Sequence, residues 1–226
     1  MVDTSMALKL ALNHISHVYG ILTPADVIPF AALDPHGGYH SAYDDGFPTG
    51  SLWRVEGQFL YALIRALKPR NVLELGTWHG ASATHILQAL RDNGNGTMDC
   101  IDNRAYGDIV IGDMIPDGLR PFATMHATSL EEAIEIALEE HYTYDFIFED
   151  AMHDAPQVEF VWKHADQLLN PGGMIISHDA MHSIAGEAVR EGIARAGYEF
   201  GFGAHAVATV LIDPADCGFA IWRKSL

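Results

Sequence analysis

Basic residues are scarce in this chain. Thirteen lysines and arginines stand against 30 aspartates and glutamates, a formal net charge of −17 over 226 residues. A surface of that sign repels phosphate backbones and anionic headgroups, which argues against nucleic acid and membranes as partners. Cysteine is scarcer still. Cys100 and Cys217 are the only two, each in apolar, strand-like sequence. They are expected to be buried free thiols of a reducing, cytoplasmic compartment, not a disulfide. No apolar run is long enough to span a bilayer. The first ten residues lack the basic-then-apolar pattern of an export signal. There is no internal repeat and no Pro- or Ser-rich linker. With 49% hydrophobic and 19% charged residues, the composition is that of a globular protein.

The chain alternates between two periodicities. Residues 4–20 place Leu8, Leu12, Ile15 and Tyr19 on one helical face. Residues 34–50 are rich in Gly, Asp and Pro and read as an irregular loop, a candidate lid carrying His36 and His40. A helix follows with Leu52, Val55, Phe59, Leu63 and Leu67 at core spacing, ending before Pro69. Strands are expected at 71–75, 98–101, 122–126, 144–149 and 174–177, with helices at 81–91, 129–141, 154–169 and 183–196 between or after them. Ser129 with Glu132, and Asp154 with Gln157, are capping signals. Asn170-Pro-Gly-Gly173 reads as a helix stop. Two closing strands, 206–212 and 219–223, are joined too tightly to be parallel. The pattern predicts a Rossmann-like, doubly wound α/β fold, with a mainly parallel seven-stranded sheet and an antiparallel closing strand. Residues 1–50 form an N-terminal helix with the lid segment, and 51–226 one globular unit.

In such sheets ligands sit beyond the carboxyl ends of the strands. After the first strand the chain reads Glu74-Leu-Gly76-Thr77-Trp78-His-Gly80. The glycines permit a tight turn and close approach of a ligand to the backbone. A dinucleotide fingerprint needs glycine where Trp78 stands. Glu74 would repel a phosphate and suit a ligand bearing an ammonium group. These residues resemble the first motif of class I S-adenosylmethionine-dependent methyltransferases. The resemblance implies that S-adenosylmethionine is the cofactor. Gly76, Thr77, Trp78 and Gly80 would then touch its methionine part, and Asp102 with Asn103, at the end of the second strand, the ribose hydroxyls. Thr128 and Ser129, after the third strand, would lie near adenine.

The fourth strand ends in Glu149-Asp150-Ala-Met-His153 and the fifth in Ser177-His178-Asp179-Ala-Met-His182. Carboxylates and imidazoles converging at one sheet edge suggest a metal or acid–base site. This part is similar to small-molecule O-methyltransferases of the catechol and macrolide-sugar types, many of which bind a divalent metal. The resemblance implies Asp150, His178 and Asp179 as metal ligands, Asp150 as a neighbour of the cofactor too, and His153 as general base, with His178 as a second catalytic candidate. Magnesium or manganese is the metal implied. A histidine in the ligand set leaves iron and zinc open. The acceptor is then a hydroxylated small molecule. Metal-independent transfer to oxygen or nitrogen, and cofactor binding without catalysis, are the alternatives. The N-terminal helix could pack on its own sheet or join a second subunit in a homo-oligomer.

Overall fold

The computed structural model describes residues 4–19, 52–103, 110–200, 206–212 and 217–226. The lid segment at 34–50 lies outside them. Helix α1 (Thr4–Tyr19) and helix α2 (Arg54–Leu67) precede the sheet. The remaining order is β1 (Asn71–Leu75), α3 (Ala81–Asn93), β2 (Thr97–Asp102), β3 (Ala123–Ala127), α4 (Leu130–Glu139), β4 (Tyr144–Glu149), α5 (Ala155–Leu168), β5 (Leu169–Ser177), α6 (Gly186–Arg195), β6 (Glu199–Phe200), β7 (Ala206–Val210) and β8 (Phe219–Arg223).

The strands lie in the order β3-β2-β1-β4-β5-β8-β7-β6. The first five are parallel, and β8 is antiparallel to both β5 and β7. The sheet has eight strands where the pattern predicts seven. The addition, β6, is a two-residue edge piece pairing in parallel with β7, too short to leave a periodic signal. A second difference is at the start of β5. Asn170-Pro-Gly-Gly173 does stop α5, but the chain enters the sheet at once. Leu169 pairs with Tyr144 and Met174 with Phe146, so residues 170–173 bulge out of the ladder. Asn170 Nδ2 donates to Asp145 Oδ1 at 2.8 Å and secures that bulge.

Alternation along the strands divides the core in two. Val72, Cys100, Phe146, Phe148, Ile176 and Ile221 face α1, α2 and α3. Leu73, Leu75, Ile101, Ile147, Ile175 and Trp222 face α4, α5 and α6. Each fully buried aliphatic or aromatic side chain contributes roughly 1.5–3 kcal/mol, so it is these two layers that hold the sheet edge in place. Leu8, Leu12 and Ile15 are buried in the first layer, so α1 packs on its own sheet. Tyr19, at its end, donates to the carbonyl of Ile221 and accepts from the N–H of Ala208 at 3.2 Å. Both cysteines are free. Cys100 is buried in β2 as expected. Cys217 is only partly buried and precedes β8, because Gly218 (φ +63°) turns the chain before the strand begins. No helix among the described residues is long and apolar enough to cross a membrane.

Candidate active site

Strand β1 delivers Glu74 to the sheet edge and the chain then reverses through Gly76 and Gly80, with φ of +94° and +91°. A side chain at Gly76 would also collide with the backbone oxygen of Asp150, 2.2 Å from where its Cβ would lie. Glycine here lets the β1 and β4 edges close on one another. Glu74 is fully buried and does not line the cavity beside the turn. Its Oε1 accepts from Ser82 at 2.6 Å and its Oε2 from Thr77 at 2.8 Å. Burial pushes its carboxyl up to about 7, against a pull from those two hydroxyls. The acid therefore clasps the turn to the start of α3 and reaches the cavity through Thr77 and Ser82.

Asp102, at the end of β2, accepts from the Trp78 N–H at 2.5 Å through Oδ2. Burial raises its carboxyl, and backbone N–H groups of Trp78, Asn103 and Thr77 offset this in part. A cavity of about 440 Å³ opens here. Gly76, Thr77, Trp78, Asp102, Asn103, Asp150 and His153 all line it. Gly80 instead opens α3 as its N-cap. Thr128 and Ser129 are absent from the wall. Thr128 donates to Glu132, and Ser129 caps α4 by accepting from the Glu132 N–H at 3.1 Å. The next residue, Leu130, takes the place on the wall, with Met152 from the β4–α5 connection and Gln157 from the first turn of α5. His79 does not line it. Its Nδ1 lies 2.6 Å from Asp113.

Beyond the cavity the ends of β4 and β5 bring together all the acid–base candidates. His178 is nearly fully buried. Its Nδ1 lies 3.1 Å from Asp150 Oδ1 and 3.5 Å from Asp179 Oδ1. Its Nε2 lies 3.0 Å from Glu56 Oε2. Burial opposes charge on this ring, but Glu56 and Asp150 overcome it and hold His178 well above the ordinary imidazole value of 6.5. Burial likewise raises Asp150, while His178 and His153 pull it, on balance, below 3.8. His153 adopts a left-handed backbone, φ +53°. Its Nε2 lies 3.4 Å from Asp150 Oδ1 and 3.3 Å from Asp179 Oδ2. Its buried Nδ1 has no hydrogen-bond partner among the described residues. Glu149 is fully buried, its carboxyl raised by burial, and accepts from the Ala151 N–H at 3.4 Å. His182 is committed to the entry of α6, accepting from the Ile184 and Ala185 N–H groups.

Glu56 was not singled out in the sequence, yet it organises this edge. It is fully buried on α2. Oε1 accepts from the Cys217 and Gly218 N–H groups at 3.0 and 2.9 Å, and Oε2 from the Trp53 N–H at 3.2 Å. A signal existed. Position 56 follows Leu52 by four and precedes Phe59 by three, so a carboxylate stands on the buried helical stripe. Buried charges are rare without a partner.

Comparisons with known proteins agree with this architecture. Residues 73–180 match a methyltransferase-domain family. No curated protein matches the sequence. Among solved structures, the chain is similar to the O-methyltransferase from Bacillus cereus in complex with SAH, at 18% identity and a TM-score of 0.64, with 100% of both chains covered. It is also similar to the O-methyltransferase TomG from Streptomyces achromogenes, involved in tomaymycin synthesis and solved with SAM, at 17% identity and a TM-score of 0.61, again covering 100% of both. The SAH-bound methyltransferase PaMTH1 from Podospora anserina follows at 12% identity and a TM-score of 0.58, with 100% of this chain and 89% of that one covered. At such identities these likenesses speak for the fold. The matched stretch, residues 73–180, carries the glycine turn on the cavity wall and the ends of β4 and β5, and it is this part of the chain that resembles a methyltransferase domain.

Proposed function

We propose that the chain transfers the methyl group of S-adenosylmethionine to a hydroxyl of a small molecule, with His153 as general base. The observation that carries this reading is the setting of His153. It lines the cavity, its Nε2 lies between the carboxylates of Asp150 and Asp179, and its buried Nδ1 has no partner among the described residues. A hydroxyl is a poor nucleophile until it gives up its proton. With Nε2–H donated to the carboxylates, a neutral ring keeps its lone pair on Nδ1. Asp150 and Asp179 then stabilise the imidazolium that forms on proton uptake.

The cofactor fits the cavity by its donors and shape. The turn from Gly76 to Trp78 would hold the methionine part. Asp102, held by the backbone N–H groups of Trp78, Asn103 and Thr77, would meet the ribose diol with its remaining acceptor capacity. Leu130 supplies an apolar surface for adenine. Holding sulfonium and acceptor in line contributes through orientation alone.

A divalent cation also fits the adjoining donors. Asp150, His178 and Asp179 would hold it. The anchoring of His178 Nε2 on Glu56 is how a carboxylate orients an imidazole whose other nitrogen binds a metal. When bound, such an ion lowers the pKa of the acceptor hydroxyl and fixes its direction. No Lys or Arg lines the cavity among the described residues. The acidic walls favour a neutral or cationic acceptor over an anionic one.

The test is calorimetric titration with S-adenosylmethionine, followed by a screen of hydroxylated small molecules for methyl transfer. Saturable binding and turnover that His153→Ala abolishes, with binding intact, are expected. Failure to bind the cofactor would overturn the reading.

A further inference from the structure

The donors that gather most closely at this edge include one that the metal ligands implied by resemblance leave out. Ligating atoms of His178, Asp179 and Cys217 lie within 4.8 Å of one another. They offer three kinds of donor: an imidazole nitrogen, a carboxylate oxygen and a thiol sulfur. The backbone presenting the thiol is fixed on both sides. The Cys217 and Gly218 N–H groups donate to Glu56 Oε1, and the Cys217 carbonyl accepts from the Met181 N–H at 2.9 Å. The other oxygen of Glu56 holds His178 Nε2. One buried carboxylate thus sets the placement of two of the three donors.

We propose that His178, Asp179 and Cys217 form a transition-metal site of the zinc class, with Cys217 as a thiolate ligand and Glu56 as the carboxylate that orients His178. It rests on the methyltransferase reading only in placing the ion beside the acceptor. Magnesium seeks oxygen ligands in near-octahedral array, and a thiol and an imidazole serve it poorly. A mixed nitrogen, oxygen and sulfur set suits zinc, cobalt or iron. On binding, the Cys217 S–H bond breaks, its proton passes to solvent, and the sulfur lone pair forms the bond to the metal. No oxidant or reductant takes part. His178 and Asp179 belong both to this set and to the one implied by resemblance. Asp150 is thereby left to His153 and the cavity.

The experiment titrates the metal-stripped, full-length protein with cobalt(II) alone and records the near-ultraviolet thiolate-to-cobalt charge-transfer absorption. A band saturating at one ion per chain is expected, removed by zinc and unaffected by a large excess of magnesium. Cys217→Ser should abolish the band and weaken zinc binding by at least about tenfold. Cys100→Ser should retain both. The band is read first in the unaltered protein, so a poorly folded variant cannot decide the matter. Cobalt binding without the band, displacement by magnesium, or no cobalt binding would each overturn the proposal. S-adenosylmethionine titrated into the same sample separates the two readings. Cofactor binding without a thiolate band sinks the metal site and leaves the methyltransferase. Loss of cofactor binding sinks the proposed reaction whatever cobalt does.

Discussion

Two fully buried glutamates, Glu74 on β1 and Glu56 on α2, show how differently the same side chain can be used. Glu74 sits among neutral hydroxyls, those of Thr77 and Ser82, and burial drives its carboxyl up to about 7. Glu56 sits among backbone N–H groups and an imidazole that is held well above its ordinary value. Burial is common to both, and the partners make the difference. A carboxylate met by hydroxyls is a clasp for a turn. One met by N–H donors and an imidazole fixes the orientation of His178 and of the backbone at Cys217 and Gly218.

Four measurements would break or sharpen that contrast. The largest effect is expected on the chemical side. His153→Ala should lower kcat by roughly 10²–10⁴-fold with cofactor affinity unchanged, read by steady-state kinetics against calorimetry. A loss confined to KM would remove His153 from the proton's path. Next, Glu56→Ala leaves His178 buried without its anchor and should cost about 3–5 kcal/mol in urea unfolding. A cost under about 1 kcal/mol would make Glu56 no different from a surface acid.

On the clasp side, the pH dependence has a definite sign. Folding raises Glu74 from 4.5 to about 7, so the fold favours its protonated form. Its contribution is full below pH 4.5 and is lost as pH rises through about 7. Between about pH 4 and 8 this group alone should remove roughly 3 kcal/mol of stability, and Glu74→Gln should flatten that decline. Unchanged slopes in the two proteins would contradict the clasp. The smallest effect belongs to Ser129→Ala. Loss of its cap on α4 should cost about 1 kcal/mol with little change in cofactor affinity. A large loss of affinity would return Ser129 to the adenine site.

Much of this was legible in the sequence because the relevant signals are local. Strand and helix periods, the glycine turn and the capping serine each depend on a few neighbouring residues, and their elements lie near where the pattern puts them. Asp150, His153, His178 and Asp179 meet because they follow adjacent parallel strands, a consequence of topology. What was not legible depends on pairing at long range. Glu56 finds His178 across 122 positions, and Cys217 and Gly218 across more than 160. The two-residue β6 and the bulge at 170–173 exist only because neighbouring strands impose them. Glu74 faces hydroxyls and not a ligand because the turn brings Thr77 and Ser82 back over it, a rotation that no periodicity records.

The hydroxyl of Tyr19 has a consequence for the order of assembly. It bridges Ala208 and Ile221, residues that pair across β7 and β8, and the partner at Ile221 is 202 positions further along the chain. Helix α1 is synthesised well before β7 and β8, from which part of its seat is built. Until β7 and β8 have paired, its apolar stripe of Leu8, Leu12 and Ile15 lacks part of its cover. Docking of this helix therefore waits on the pairing of β7 and β8, and the exposed stripe is the surface on which a chaperone would act in the interval.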